Sequence, residues 1–213
     1  MFAKHAWSIG ALGLAVCACS DSGKMIAIAD APQVGAAIDA AVPAPDAQIF
    51  DAPVDPNLIS NAGFEQGVAG WSNNGGSAVV ERVTTVAQTG SASLLVTVRQ
   101  GTWNGPAFDL TDIVKPGRKY AGRVAARLVN PADEKFSFST RVTCSEDGQH
   151  FNVNTPQVPA EATDNLTWVT PTSTFSLPDP STCTITNYLV YVETATGLED
   201  FYIDDAVVLD ITP

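Results

Sequence analysis

The pattern of apolar and polar positions changes character at Asn57. From there on, alternating or continuously apolar runs of strand length recur between turn signals. These runs predict strands over 78–84, 93–99, 107–110, 119–129, 135–144, 150–154, 167–177, 183–193 and 200–211. Between them lie Asn73-Asn74-Gly75-Gly76, Gln88-Thr89-Gly90, Lys115-Pro116-Gly117, Glu146-Asp147-Gly148 and Pro178-Asp179-Pro180, which are turn residues. No long stretch carries a helical period. About nine short strands joined by Gly and Pro turns over roughly 155 residues predict an all-β sandwich of the jelly-roll kind.

Before Asn57 the pattern is different. Residues 1–18 read as a signal peptide: Lys4 and His5 form a short basic region, and the apolar run 9–16 is too short to span a bilayer. The run ends in Leu14-Ala15-Val16-Cys17-Ala18-Cys19-Ser20, which resembles a lipoprotein signal with Cys19 as the lipid attachment residue. Ala18 then precedes the acylated cysteine, and Val16 stands two residues further back. An ordinary cleaved signal with two incidental cysteines is the alternative. Ser20 follows the cysteine where an Asp would favour retention in the inner membrane, so the expected location is the outer membrane or cell surface. Residues 19–56 are built largely from Asp, Ala, Pro and Val and bury too little to offset their ordering entropy, which predicts a linker. The folded domain is expected over 57–213.

Composition narrows the chemistry. The chain of 213 residues is 45% hydrophobic and carries a formal net charge of −12, so a phosphate backbone is an unsuitable partner and nucleic acid is excluded. Two histidines leave little room for His-based catalysis or metal sites. No nucleophile elbow, zinc-protease helix or P-loop motif occurs. Cys144 and Cys183 remain after the signal, and in an exported protein a disulfide between them is expected over two free buried thiols.

Strand alternation assigns faces. In 183–193, Ile185, Asn187, Leu189, Tyr191 and Glu193 share one side, while Tyr188, Val190 and Val192 share the other and suit the core. Arg141 falls on the side of Ser137 and Ser139, opposite Phe136 and Phe138. Trp103 stands in Gly101-Thr102-Trp103-Asn104-Gly105, a context unlike a core strand. Trp168 reads as a packing residue. A face that binds sugar needs exposed rings for the apolar ring faces and a few polar groups for the hydroxyls.

The segments "NLISNAGFEQGVAGW" (57–71), "GSASLLVTVRQGTWNGPAFDLTDIVKPGRKYAGRVAARLV" (90–129) and "YLVYVETATGLEDFYIDDAVVL" (188–209) resemble carbohydrate-binding modules of the family 4, 9 and 22 group. Within that group they are most similar to the xylan-binding modules of family 22 found beside xylanases. The resemblance covers nearly all of 57–210 and implies a galactose-binding-like sandwich. It implies a glycan face made by Trp103, Tyr191 and Glu193, with Phe151 where the family has a stacking Tyr. Asn74 stands where the family often has an Arg, and Arg141 is a candidate compensating donor. Trp71 and Phe64 fall at structural positions. The resemblance also implies a structural calcium ion held by Glu65 and one of Asp204 and Asp205, since adjacent strand residues point oppositely.

The expected function is therefore non-catalytic binding of a polysaccharide, xylan or a related β-glycan, by a monomeric, lipid-tethered surface protein. A structural or adhesive sandwich whose sugar site has decayed is the second reading, supported by the changes at Asn74 and Phe151. A glycoside hydrolase ranks last, because no catalytic domain of ordinary size remains beside signal and linker. The anchoring expectation is tested by Cys19→Ala, which should move the protein from the membrane fraction to the soluble fraction. Persistent membrane association with an undiminished lipid label would overturn it.

Overall fold

The computed structural model describes residues 57–213; the signal peptide, Cys19 and the linker lie outside the described residues. The described chain forms twelve strands: β1 Trp71–Asn73, β2 Val79–Val83, β3 Ser93–Thr97, β4 Pro106–Asp109, β5 Lys119–Leu128, β6 Glu134–Cys144, β7 Gly148–Phe151, β8 Gln157–Val158, β9 Ala160–Ala162, β10 Thr172–Ser176, β11 Ile185–Thr194 and β12 Phe201–Asp210. They build two antiparallel sheets. One runs β1-β4-β11-β6-β7, with β9 also paired to β6; the other runs β2-β3-β12-β5-β10-β8. This is the two-sheet sandwich that the strand pattern predicts.

The inner faces supply the core. Leu94, Val96, Val124, Leu128, Ile203 and Val208 from the second sheet meet Phe136, Phe138, Tyr188, Val190 and Val192 from the first, all buried. Rings pack in contact: Phe64 against Trp71 at 5.3 Å, Trp71 against Phe108 at 5.5 Å, Phe136 against Phe201 at 5.2 Å between centroids. Such pairs contribute roughly 0.5–1.5 kcal/mol each beyond their burial. Phe64 and Trp71 are core residues, as expected. Trp168 is half-buried, with the Arg127 guanidinium 6.0 Å from its ring centroid.

Several strands differ from their predicted bounds for local reasons. The run 167–177 is cut by Pro171, which has no N–H to give a ladder; only a bridge from Ala126 to Val169 precedes β10. The run 150–154 ends early because Asn152 and Asn154 take positive φ. β1, β8 and β9 were not predicted, being two or three residues long. A register shift between Ile185 and Asn187 moves Ile185 off the expected face, so it packs against the core instead.

β6 is paired on its outer edge in two pieces. Its first residues, 134–136, pair with β9, and its last, 141–144, pair with β7. The gap is closed by the Asn152 N–H donating to the Thr140 carbonyl at 2.8 Å and by side chains. Asn152 Oδ1 accepts from the Thr140 N–H at 2.9 Å, and Gln157 Nε2 donates to the Phe138 carbonyl at 3.2 Å. A disulfide joins Cys144, at the end of β6, to Cys183, just before β11. The bridge pins together the two strands that share the longest ladder of the first sheet.

Candidate functional site

The outer face of the first sheet is built around β11. Tyr191 lies across from Ala107 on β4 and Ser139 on β6; Leu189 lies across from Asp109 and Arg141; Glu193 lies across from Ser137. Arg141 in turn lies across from Phe151 on β7. Because Tyr188, Val190 and Val192 fill the core, period-two alternation turns Leu189, Tyr191 and Glu193 outward.

Trp103 stands at the Glu193 end of this face. Its loop is tied to β11 by the Thr194 N–H donating to the Thr102 carbonyl at 3.1 Å. The ring lies against Gly101, where any Cβ would collide with it, and 52% of the residue is exposed. Gly105 lets the loop lie on β11, since a Cβ there would overlap the Val192 carbonyl. Phe151 stands on β7, 54% exposed. One open ring thus stands at the end of β11, and the other lies two strands away on β7, level with Leu189.

Between them the floor is closed. Tyr191 is 2% exposed and packs with Ala107 and Leu189 in a cluster separate from the main core. The expectation of one continuous exposed patch is thus corrected: Trp103 and Phe151 are open, Glu193 is half-buried and Tyr191 is covered. The physical reason is that alternation fixes which side a residue faces, not how deeply its neighbours on that side enclose it. Burial pushes the Tyr191 hydroxyl well above its ordinary value. Burial also raises the Glu193 carboxyl, opposed by its bond from the Ser139 hydroxyl and by Arg99.

Asn74 is a second correction. It is 0% exposed, so it is no donor to a ligand. Its N–H donates to the Gly105 carbonyl at 2.8 Å and its Nδ2 to the Trp103 carbonyl at 3.3 Å. Asn104 returns the contact by donating to the Gly75 carbonyl at 3.0 Å. Asn74 braces the loop that presents Trp103.

Two buried charges that the sequence reading did not single out finish the frame. Arg99 donates to the carbonyls of Asn104 at 2.7 Å, Glu199 at 3.0 Å and Thr102 at 2.6 Å, and to the Thr194 hydroxyl at 2.5 Å. Its guanidinium also stands 4.9 Å from the Phe201 ring centroid. Burial lowers the Arg99 pKa from its ordinary value, and Glu134 is foremost among the acids that oppose this. Glu134 accepts from the N–H groups of Lys135, Ala195, Thr196 and Gly197 at 2.6–3.1 Å. Burial works against its charge, yet these four bonds hold its carboxyl below the ordinary range. The available signal was an Arg at a strand end beside a glycine loop.

The carboxylates expected at a calcium site lie elsewhere, against residues 88–92. Asp204 is wholly buried; it accepts from the N–H of Gln88 at 2.7 Å and of Thr89 at 3.2 Å. Asp205 accepts from the Thr89 hydroxyl at 2.6 Å. The regular-strand argument that only one of the pair could turn this way is corrected: a bulge between Asp204 and Val207, with Asp205 at φ 48°, brings both to Thr89. Glu65 accepts from the Ser91 N–H at 2.8 Å and the Ser91 hydroxyl at 2.6 Å. Glu65, Asp204 and Asp205 do not bring three ligand oxygens within 4.8 Å of one another; among the described residues the group that does is Cys144, Asp147 and His150, whose Cys144 is in the disulfide. Burial raises the Asp204 carboxyl despite its N–H bonds, and the neighbouring Asp205 adds to the rise. Two converging carboxylates of this kind are oxygen donors that suit a calcium ion.

A two-sheet sandwich with open rings and half-buried polar groups on the outer face of one sheet defines a class of sugar-binding module. The model of the carbohydrate binding domain family CBM_4_9 matches residues 56–197, and this chain belongs to that family. An endo-1,4-beta-xylanase A of Thermoanaerobacterium saccharolyticum is 36% identical over 154 residues, covering 72% of this chain and 13% of that enzyme. The exoglucanase XynX of Acetivibrio thermocellus is 29% identical over 160 residues, covering 74% of this chain and 14% of that protein. Among solved structures, a xylan-binding domain from CBM 22 is 28% identical with a TM-score of 0.60, covering 73% of this chain and 96% of that one. The CBM22-1 xylan-binding domain from Paenibacillus barcinonensis Xyn10C shares the fold at 22% identity and a TM-score of 0.61, covering 71% of this chain and 93% of that one.

Trp103→Ala separates a binding role from a packing role. An exposed ring adds little to the core, so the variant should keep its melting temperature within about 2–4 °C while glycan retention falls roughly tenfold. A folded variant that binds as well as wild type would rule out the face.

Proposed function

We propose that the sandwich binds a β-1,4-linked xylan or a related β-glycan without catalysing its cleavage. The observation that carries this reading is the pair of open rings, Trp103 by the end of β11 and Phe151 on β7, on the outer face of one sheet in a member of a carbohydrate-binding family. Stacking on these rings supplies the apolar contact, and Glu193 accepts from sugar hydroxyls; bonds to a charged acceptor are worth about 1.5–3 kcal/mol at best. The xylanase relatives and the xylan-binding domains of similar fold support xylan as the first ligand to try. The lipidated Cys19 and the linker hold the module at the outer membrane or cell surface, where it acts as a monomer.

The covered Tyr191 and the missing phenolic hydroxyl at Phe151 favour one second reading, a sandwich that serves structure or adhesion instead. Affinity electrophoresis decides. Retardation by soluble xylan, greater than by mixed-linkage β-glucan or a cellulose derivative, is the expected result. Unretarded migration in all three gels leaves the structural reading, and release of reducing sugar would show a hydrolase.

The same reading includes a structural calcium ion held by Asp204 and Asp205, with Glu65 beside them. When bound, the ion would neutralise the wholly buried Asp204 and the half-buried Asp205 next to it. Chelation should lower the melting temperature. The expected loss is RT ln(1 + [Ca²⁺]/Kd), about 2.7 kcal/mol at a hundredfold excess over Kd. A melting curve indifferent to chelator and to added calcium would remove the ion from the account.

A further inference from the structure

We propose that Arg141 makes this face selective for β-glycans that carry carboxylate groups, such as a xylan substituted with uronic acid. The inference rests on the glycan-binding reading above and names the ligand chemistry that the face prefers.

The arginines of the described residues are engaged by the protein itself in nearly every case. Arg82 donates to the carbonyls of Phe64 and Glu65, Arg99 to three carbonyls and a hydroxyl, Arg118 to Asp210, and Arg127 to the Asn165 carbonyl. Arg123 also has a partner. Arg141 differs. Its Nε is buried without an acceptor, and no hydrogen bond or salt bridge within the described residues takes its guanidinium. An arginine stem covered at Nε leaves the terminal nitrogens as its working edge. Placement puts Arg141 on the outer face: it sits across from Leu189 on one side and Phe151 on the other, and its charge is felt at the Tyr191 hydroxyl.

The acids of the same face leave room for an incoming carboxylate. Glu193 lies across from Ser137, four residues from Arg141 along β6, which is about 13 Å of strand. Asp109 lies beyond Leu189, two strand spacings or about 10 Å away, and accepts from the Thr111 N–H and Asn187 Nδ2. A glycan laid from Trp103 across to Phe151 would therefore meet an acceptor beside the first ring and a cation beside the second. A planar guanidinium pairs with a carboxylate through two parallel bonds, which a sugar hydroxyl cannot match. The chain's net charge of −12 disfavours an anionic ligand at long range, so discrimination has to come from a local cation.

Affinity electrophoresis of the full chain tests this with a uronate-bearing xylan, the same polymer after carboxyl reduction, and a neutral arabinoxylan. Wild type should bind the uronate polymer at least fivefold more tightly than its reduced form, and the ratio should shrink as salt rises. In Arg141→Gln the ratio should fall to near one. Arg141→Lys should keep part of the salt-sensitive preference, because it keeps the charge and loses the fork. Melting curves establish that each variant is folded; if Arg141→Gln fails to fold, the lysine variant and the wild-type salt series carry the test. A wild-type ratio near one, or a ratio that survives unchanged in Arg141→Gln, overturns the proposal. Absence of wild-type binding to all three polymers overturns the xylan reading itself and this inference with it.

Discussion

The structure depends on the side-chain alternation of one central strand. β11 pairs with β4 on one edge and with β6 along almost its whole length on the other. Tyr188, Val190 and Val192 enter the core, while Leu189, Tyr191 and Glu193 build the outer face. A slip of one residue would exchange these two sets and destroy core and site together. The register is therefore held at the start of the strand, where the Cys144–Cys183 bridge and the shift at Ile185 precede the regular ladder.

At the far end of β11 the frame is electrostatic. Arg99 satisfies carbonyls of the Trp103 loop and of the β11–β12 connection, and Glu134 satisfies the N–H groups of 195–197. Among the described residues neither forms a salt bridge within bonding distance; Arg99 is held by carbonyls and by the field of Glu134 and other nearby acids, and Glu134 by peptide N–H groups. Buried charges are tolerated only when so fully bonded, and removing either would leave several peptide groups unpaired in a dry place. The loops around Trp103 thus owe their shape to two buried residues, Arg99 and Glu134.

This explains what was legible in the sequence. The long strands were, because alternation over ten residues leaves a strong signal: 119–129 became β5 and 200–211 became β12 with small changes at the ends. The family resemblance placed Trp103 and Phe151 at positions that are open in the structure. The rest depends on contacts between distant segments. Burial of Asn74 follows from Gly105 and Trp103, thirty residues away, and burial of Tyr191 from Ala107 on another strand. The bulge at Asp205 leaves no local mark, since a bulge is a mismatch between two strands and only one of them is being read. β8 and β9 are too short to show a period, and Pro159 separates them.

Exposure along the face separates two kinds of contribution. Trp103 and Phe151 are half open, so covering them with a ligand removes fresh apolar area from water, and their loss costs the free fold little. Tyr191 is already covered, so a ligand gains almost no new area there, and its ring supports the fold before it supports binding. On the proposed binding reading, the new contact area lies at the two open rings, while the covered Tyr191 between them serves stability. The polar groups follow the same division: Glu193, half-buried and held by Ser139, belongs to the floor near one ring, and Arg141, without a protein acceptor, stands beside the other. On that reading a ligand that covers both rings is an extended chain of sugars and not a single residue.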